Sequence, residues 1–282
     1  MKIGVVGLGL IGGCLCLDFK ALGHEIYGVA RREETCEQAL KLGIVDYASP
    51  NIAELAPCQI VIICTPIAVI VPMVAALAKV LAPEAVITDV GSVKAAIVAE
   101  ATLQWPAFVG GHPMSGKSEA GLAAAEPGIF RQRPYVITPI EQTQPSAVKI
   151  LESLAEQLNA RLYRCTPAEH DRAVAWISHL PVMVSANLIL AAISEPDAQV
   201  LVLSQQLASS GFRDTSRVGG GNSELGLMMA QYNRDEVLRS LRQYHAAIGR
   251  TIEQLEQENW GAIAQMLQST SKARGSFLKE PD

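Results

Sequence analysis

From residue 2 to about residue 165, short apolar runs alternate with segments whose apolar positions recur every three or four residues. Beyond that point the pattern is helical throughout. The runs at 2–6, 25–29, 59–64, 85–89, 108–110, 135–138 and 161–163 have the length and apolar content of strands, and 11–22, 33–42, 68–81 and 146–158 read as the helices between them. Gly23 and Gly43 close the first two helices. Strands alternating with helices predict βαβ units and a doubly wound, mainly parallel sheet of the Rossmann type.

After Cys165 the rhythm changes. Thr166-Pro167-Ala168-Glu169 is a capping box with proline at the first helical position. The helix it opens is expected to run to about 193, kinked or locally opened at Pro181, which lacks a backbone donor. Residues 197–208 read as a helix and 209–222, with Gly219-Gly220-Gly221, as a loop. Asn222 caps a helix to 232, 234–259 is a long helix, and the tail from Lys272 looks loose. The long helix carries an apolar stripe, Val237, Leu241, Tyr244, Ile248, Ile252 and Leu255, that wants a partner. The expected organisation is a Rossmann dinucleotide-binding domain over 1–165 and an all-α substrate and dimerisation domain over 166–282, completed in a homodimer.

Composition narrows the function. With 282 residues, 49% hydrophobic and 18% charged, the chain can bury large cores and is not a disordered polymer. A net charge of −5 and only 5% aromatic residues argue against nucleic acid or anionic lipid as partners. Cys14, Cys16, Cys36, Cys58, Cys64 and Cys165 form no paired spacing, and five sit in apolar runs. They read as buried thiols of a reducing cytoplasm, with no metal site. The uncharged stretch 60–78 approaches membrane-spanning length, but Pro66 and Pro72 split it into two soluble elements. The apolar N-terminus imitates a targeting signal, yet it is short and crowded with glycine.

Those glycines have a better explanation. Gly7-Leu8-Gly9-Leu10-Ile11-Gly12 follows a strand and opens a helix, as a G-x-G-x-x-G dinucleotide turn requires. Gly7 makes the turn, Gly9 admits a pyrophosphate, Gly12 lets helix and strand approach, and the amides around Leu10 and Ile11 receive the phosphates. At the end of the second strand the chain reads Gly28-Val29-Ala30-Arg31-Arg32, with no carboxylate for the ribose hydroxyls of NAD. Arg31 and Arg32 suit the 2′-phosphate of NADP, each charge-assisted hydrogen bond contributing roughly 1.5–3 kcal/mol.

In an open parallel sheet ligands bind beyond the carboxyl ends of the strands. The exits there carry Thr65-Pro66, Gly91-Ser92-Val93-Lys94 and Gly111-His112-Pro113-Met114-Ser115-Gly116. Thr65 and Pro66 fall beside the cofactor. His112, expected on a glycine-rich loop, is the imidazole at such an exit and suits proton abstraction from an alcohol as hydride leaves; Ser92 could bond one of its ring nitrogens.

These motifs, with Ser178-His179-Leu180-Pro181 and Phe212-Arg213-Asp214-Thr215-Ser216-Arg217, occur in the order seen in the prephenate and arogenate dehydrogenases of tyrosine biosynthesis. The chain resembles that family over 1 to about 270, and most of all its cyanobacterial arogenate-using members. The resemblance implies that His112 accepts the proton of the ring hydroxyl and that Ser92 bonds both His112 and substrate. It further implies that His179 helps hold substrate, that Arg217 pairs with the ring carboxylate, and that the second domain is a helical dimerisation domain. Many prephenate-using members carry an acid six positions after the histidine, where this chain has Ser118 followed by Glu119. A 3-hydroxyacid dehydrogenase would need a lysine in the second domain, and none occurs between Cys165 and Lys272. A non-catalytic NADP sensor would leave Ser92, His112 and Arg217 without a shared purpose.

Overall fold

A computed structural model describes residues 1–117 and 119–278; Ser118 lies outside the described residues. Its strands are β1 (Lys2–Val6), β2 (Glu25–Val29), β3 (Tyr47–Ser49), β4 (Ile60–Ile63), β5 (Val86–Asp89), β6 (Phe108–Pro113), β7 (Pro134–Thr138) and β8 (Arg161–Arg164). They form one sheet in the order β3-β2-β1-β4-β5-β6-β7-β8, parallel except where β7 runs against β6. Helices α1 (Leu10–Ala21), α2 (Glu33–Lys41), α3 (Ile67–Leu77), α4 (Ala95–Gln104) and α5 (Pro145–Gln157) interleave with the strands. Every residue of β4 and β5 is buried, as a central strand covered on both faces requires.

Register sets where chemistry can occur. Val6 pairs with Val29 and with Ile63, and Ile63 with Asp89, so the carboxyl ends of β1, β2, β4 and β5 finish at one edge. Thr88 pairs with Val109, so β6 continues past the end of β5 and carries His112 beyond that edge. The expected strand stopped at 110 with His112 on a loop. Antiparallel pairing with β7, His112 opposite Val136 and Pro113 opposite Tyr135, extends the strand and fixes the imidazole on rigid backbone.

The helical portion begins with α6 (Pro167–Val174), a π-helical turn (Ala175–His179) and α7 (Leu180–Ile193). The capping box forms as expected: Glu169 N–H donates to Thr166 Oγ1 at 3.2 Å, and Thr166 N–H donates to Glu169 Oε2 at 2.8 Å. Local opening ahead of Pro181 takes the form of the π turn, closed by Leu180 N–H donating to Ala175 O. Next come α8 (Ala198–Leu207), α9 (Ser210–Ser216) and α10 (Ser223–Tyr232), the last capped by Asn222. The expected loop over 209–222 thus contains a helix. Despite its glycine, Ser210–Ser216 makes nearly two turns. By its contacts the chain divides into two compact units, Met1–Asn233 and one beginning at Arg234. The second contains α11 (Arg234–Glu256) and α12 (Trp260–Phe277), a helix that extends into what reads as a loose tail. Pro167–Ile193 is long and apolar enough to cross a membrane by length and composition, yet it contains buried His170, Asp171, His179 and Ser185.

Candidate active site

The glycine turn has the shape its sequence predicts. Gly7 adopts φ +101°, and a Cβ there would lie 2.6 Å from Cys64 O. A Cβ on Gly12 would lie 2.1 Å from Gly7 O, so only glycine lets α1 start this close to β1. Beside Gly9 the space is open, and α1 begins there with no side chain capping its amides. An uncapped helix start facing open space, with Leu10 and Ile11 in its first turn, is a ready anion cradle. Arg31 and Arg32 lie exposed just beyond β2, and neither side chain makes an ion pair or hydrogen bond to another described residue. At the exits of β4 and β5, Thr65 Oγ1 and Ser92 Oγ are buried without a hydrogen-bond partner among the described residues. Pro66 is the exposed N-cap of α3. Buried polar atoms left open at a strand edge fit a dinucleotide and the molecule that reacts with it.

His112 is held by a chain of groups. Its Nδ1 lies 2.8 Å from His170 Nε2, and His170 Nδ1 lies 2.8 Å from Asp171 Oδ1. Asp171 also receives the backbone N–H of Lys94 on Oδ1 at 2.7 Å and that of Ala95 on Oδ2 at 2.8 Å, so its carboxylate caps α4 from outside. An ionised carboxylate only accepts, so His170 donates from Nδ1. A neutral His170 so oriented has its lone pair on Nε2, and His112 then donates from Nδ1. The network leaves the proton-accepting lone pair of His112 on Nε2. Burial, reinforced by the nearby Lys94 ammonium, holds His112 well below the usual imidazole range and therefore neutral.

Below this chain Lys94 Nζ donates to Asp89 Oδ2 in a fully buried ion pair. Asp89 also accepts from Gly91 N–H at 2.8 Å and Gly111 N–H at 3.2 Å, tying the exits of β5 and β6 together. Burial lowers the Lys94 pKa against the pull of Asp89. His179 is buried and its pKa is pushed down to about 4, first by burial. Asn233 Nδ2 donates to Asp171 O at 2.8 Å and lies 3.1 Å from His179 Nδ1.

The sequence places Ser92 on a ring nitrogen of His112. In the structure His170 occupies Nδ1, and Ser92 Oγ has no hydrogen-bond partner among the described residues. The site brings His112, His170, Asp171 and His179 together, with the Ser92 backbone against His179. Arg217, expected on a loop, forms the exposed C-cap of α9. The segment that follows it is tied to α7 through Gly219 N–H, which donates to Ser185 Oγ at 2.8 Å. Glu119 is exposed. His170, Asp171, Lys94, Asp89 and Asn233 were not anticipated. A histidine followed by an acid near the start of the first helix after the sheet domain, His170-Asp171, is the one visible signal.

Comparison with known proteins bears on this arrangement. The profile of the prephenate dehydrogenase nucleotide-binding domain matches residues 15–164, and that of the prephenate dehydrogenase dimerization domain matches 166–269. The chain belongs to the prephenate dehydrogenase family. It is an enzyme family of oxidoreductases serving tyrosine biosynthesis. Prephenate dehydrogenase of Bacillus subtilis is 34% identical over 262 residues, covering 90% of this chain and 70% of that protein. The structure of Synechocystis arogenate dehydrogenase is 48% identical, covers 99% of this chain and 100% of that one, and superposes with a TM-score of 0.88. The structure of prephenate dehydrogenase from Aquifex aeolicus, in complex with hydroxyphenyl propionate and NAD+, has a TM-score of 0.93 over 99% of this chain and 98% of that one. At 22% identity it speaks to the fold alone.

Proposed function

We propose that this chain is an NADP-dependent arogenate dehydrogenase, carrying out oxidative decarboxylation of L-arogenate to L-tyrosine. The observation that carries this reading is the chain Asp171–His170–His112 at the carboxyl edge of a dinucleotide-binding sheet, with the free lone pair of its terminal imidazole on Nε2. When bound, the nicotinamide cofactor supplies a hydride acceptor. The turn Gly7, Gly9, Leu10, Ile11 and Gly12 holds the pyrophosphate, Thr65 and Pro66 flank it, and Arg31 and Arg32 take the 2′-phosphate.

As hydride leaves the ring carbinol carbon, His112 Nε2 receives the hydroxyl proton. His170 and Asp171 stabilise the imidazolium that forms, by the logic of a hydrogen-bonded His–carboxylate pair. The new ketone is conjugated through the ring to the carbon bearing the carboxylate, so carbon dioxide departs, the electron pair of that bond moves through the ring to the oxygen, and the phenolate takes back the proton held by His112 to become a phenol. Ser92 and His179 contact substrate, and Arg217 pairs with the ring carboxylate as a planar bidentate donor.

Arogenate, rather than prephenate, is favoured by the 48% identity to the Synechocystis enzyme, whereas the Bacillus relative is named for prephenate. We place the cofactor domain at 1–165 and the helical substrate and dimerisation domain at 166–282, assign a homodimer from the dimerization-domain match, and place the enzyme in the cytoplasm. The test is a rate comparison of arogenate and prephenate with NADP and NAD on one purified protein. Arogenate with NADP is expected to give the highest kcat/KM. A higher value with prephenate, or with NAD, would overturn that part of the assignment.

A further inference from the structure

Asn233 closes the first compact unit immediately after α10, and its side chain is buried between two arms of the site. Its orientation is settled by chemistry. The atom 2.8 Å from the Asp171 carbonyl must be the amide nitrogen, because a carbonyl oxygen can only accept. The same nitrogen lies 3.1 Å from His179 Nδ1 and can only donate to it. His179 Nδ1 therefore carries the lone pair, and the ring proton sits on Nε2.

That Nε2–H is buried and has no hydrogen-bond partner of good geometry among the described residues, although the Ser92 backbone lies against the ring. A buried donor left open is destabilising, and such a cost is tolerated where a ligand supplies the acceptor. Ser92 Oγ, a few atoms away on the same segment, is likewise buried and open. Burial also keeps the ring neutral, so its tautomer and not its charge decides what it offers.

We infer that Asn233 is a positioning residue that locks His179 as the Nε2–H tautomer, so that His179 presents a neutral N–H donor to an oxygen acceptor of the bound ligand. This deepens the dehydrogenase reading and rests on it for the identity of the ligand, whose acceptor is a carboxylate or hydroxyl oxygen of the substrate or the carboxamide oxygen of the cofactor. It also gives the two histidine arms opposite tasks. Both rings have their Nδ1 tied down. His112 donates from Nδ1 and exposes a lone pair on Nε2, whereas His179 accepts at Nδ1 and exposes a proton.

The test begins on the unaltered protein with 15N-histidine labelling and NMR, which reads the tautomer without any turnover. His179 is expected to show a protonated Nε2 and a bare Nδ1. A proton on Nδ1, or an even mixture, overturns the proposal. In N233D, nearly isosteric, the carboxylate can only accept, and the ring proton is expected to move to Nδ1. In N233L the tautomer lock is lost. For N233L, KM for arogenate is expected to rise about tenfold with kcat within about threefold, while the dissociation constant of NADP stays within about twofold. A tenfold loss confined to NADP supports the locked donor and identifies the cofactor as its acceptor. Unchanged binding of both, in a folded variant whose tautomer has shifted, overturns the proposal. If arogenate and prephenate are not turned over with either cofactor, the dehydrogenase reading fails while the NMR result still decides the tautomer.

Discussion

At the scale of single residues, the proposal that His112 is the base rests on where its protons are held, and each link can be cut separately. His112→Asn is expected to keep NADP binding within about twofold while kcat falls by roughly 10²–10⁴; near-normal turnover would remove it as the base. His170→Asn leaves Asp171 on the α4 amides but frees His112 Nδ1 to choose its proton. Steady-state kinetics should show kcat down about 100-fold with KM nearly unchanged, and a pure KM effect would mean that His170 only shapes the pocket. Working pH follows from the same environment. The base must be neutral, and burial together with the nearby Lys94 ammonium pushes the His112 pKa downward from 6.5. The acid limb of kcat/KM should therefore lie below pH 6.5, with activity flat through neutrality; a limb at or above 6.5 would exclude His112 as the group titrating. At the far end of the site, Arg31→Ala with Arg32→Ala should raise the KM for NADP at least tenfold and leave that for NAD nearly unchanged. Equal loss of both cofactors would show that the arginines do not read the 2′-phosphate.

At the scale of elements, the start of α1 separates a glycine needed for folding from one needed for binding. Gly12→Ala places a Cβ 2.1 Å from Gly7 O, so helix and strand must part, and thermal melting should show a clear loss of stability. Gly9→Ala meets nothing within 4 Å. That variant should melt like the parent, yet lose at least tenfold in cofactor affinity, because the methyl occupies the space intended for pyrophosphate; unchanged affinity would place the phosphates elsewhere. This turn was legible from sequence because its signal is local: one strand, one glycine pattern and one helix start. The sheet was legible for a similar reason, since buried parallel strands are uninterrupted apolar runs. Tyr47–Ser49 escaped notice as three residues at the sheet edge, and α9 because glycine and serine disguise a short helix. The hydrogen-bonded chain behind His112 was invisible for a different reason. His112 comes from β6, Lys94 from the start of α4, His170 and Asp171 from α6 and Asn233 from the end of α10, so only folding joins them. The π turn contributes to that joining. At 3.6 residues per turn, residues 170 and 179 point about 180° apart, and the one residue a π turn absorbs brings them to about 80°.

At the scale of the whole molecule, the site leans on a surface that a monomer leaves uncovered. Helices α7 and α8 expose Leu190, Ile193, Val200, Val202, Leu203 and Leu207, and no residue of α8 is buried. In the unit beginning at Arg234, the stripe on α11 is exposed at Ile248, Ile252 and Leu255. Covering a half-exposed aliphatic side chain contributes about 1 kcal/mol, and six from each protomer give about 12 kcal/mol against an association cost of roughly 4–15 kcal/mol. By that count those six alone leave dimerisation marginal. The catalytic consequence runs through α7. Its Ser185 holds Gly219, the Cβ position of Gly219 lies 2.2 Å from Ala186 N, and this seam supports the segment that follows Arg217. Loosening α7 should therefore disturb the carboxylate clamp and spare the dinucleotide site on the sheet. Leu203→Glu with Leu207→Glu should lower the light-scattering mass from twice the monomer to the monomer, raise KM for arogenate about tenfold, and leave the NADP dissociation constant within about twofold. A monomer with unchanged KM would uncouple assembly from substrate binding, and a variant that remains dimeric would move the interface away from α8.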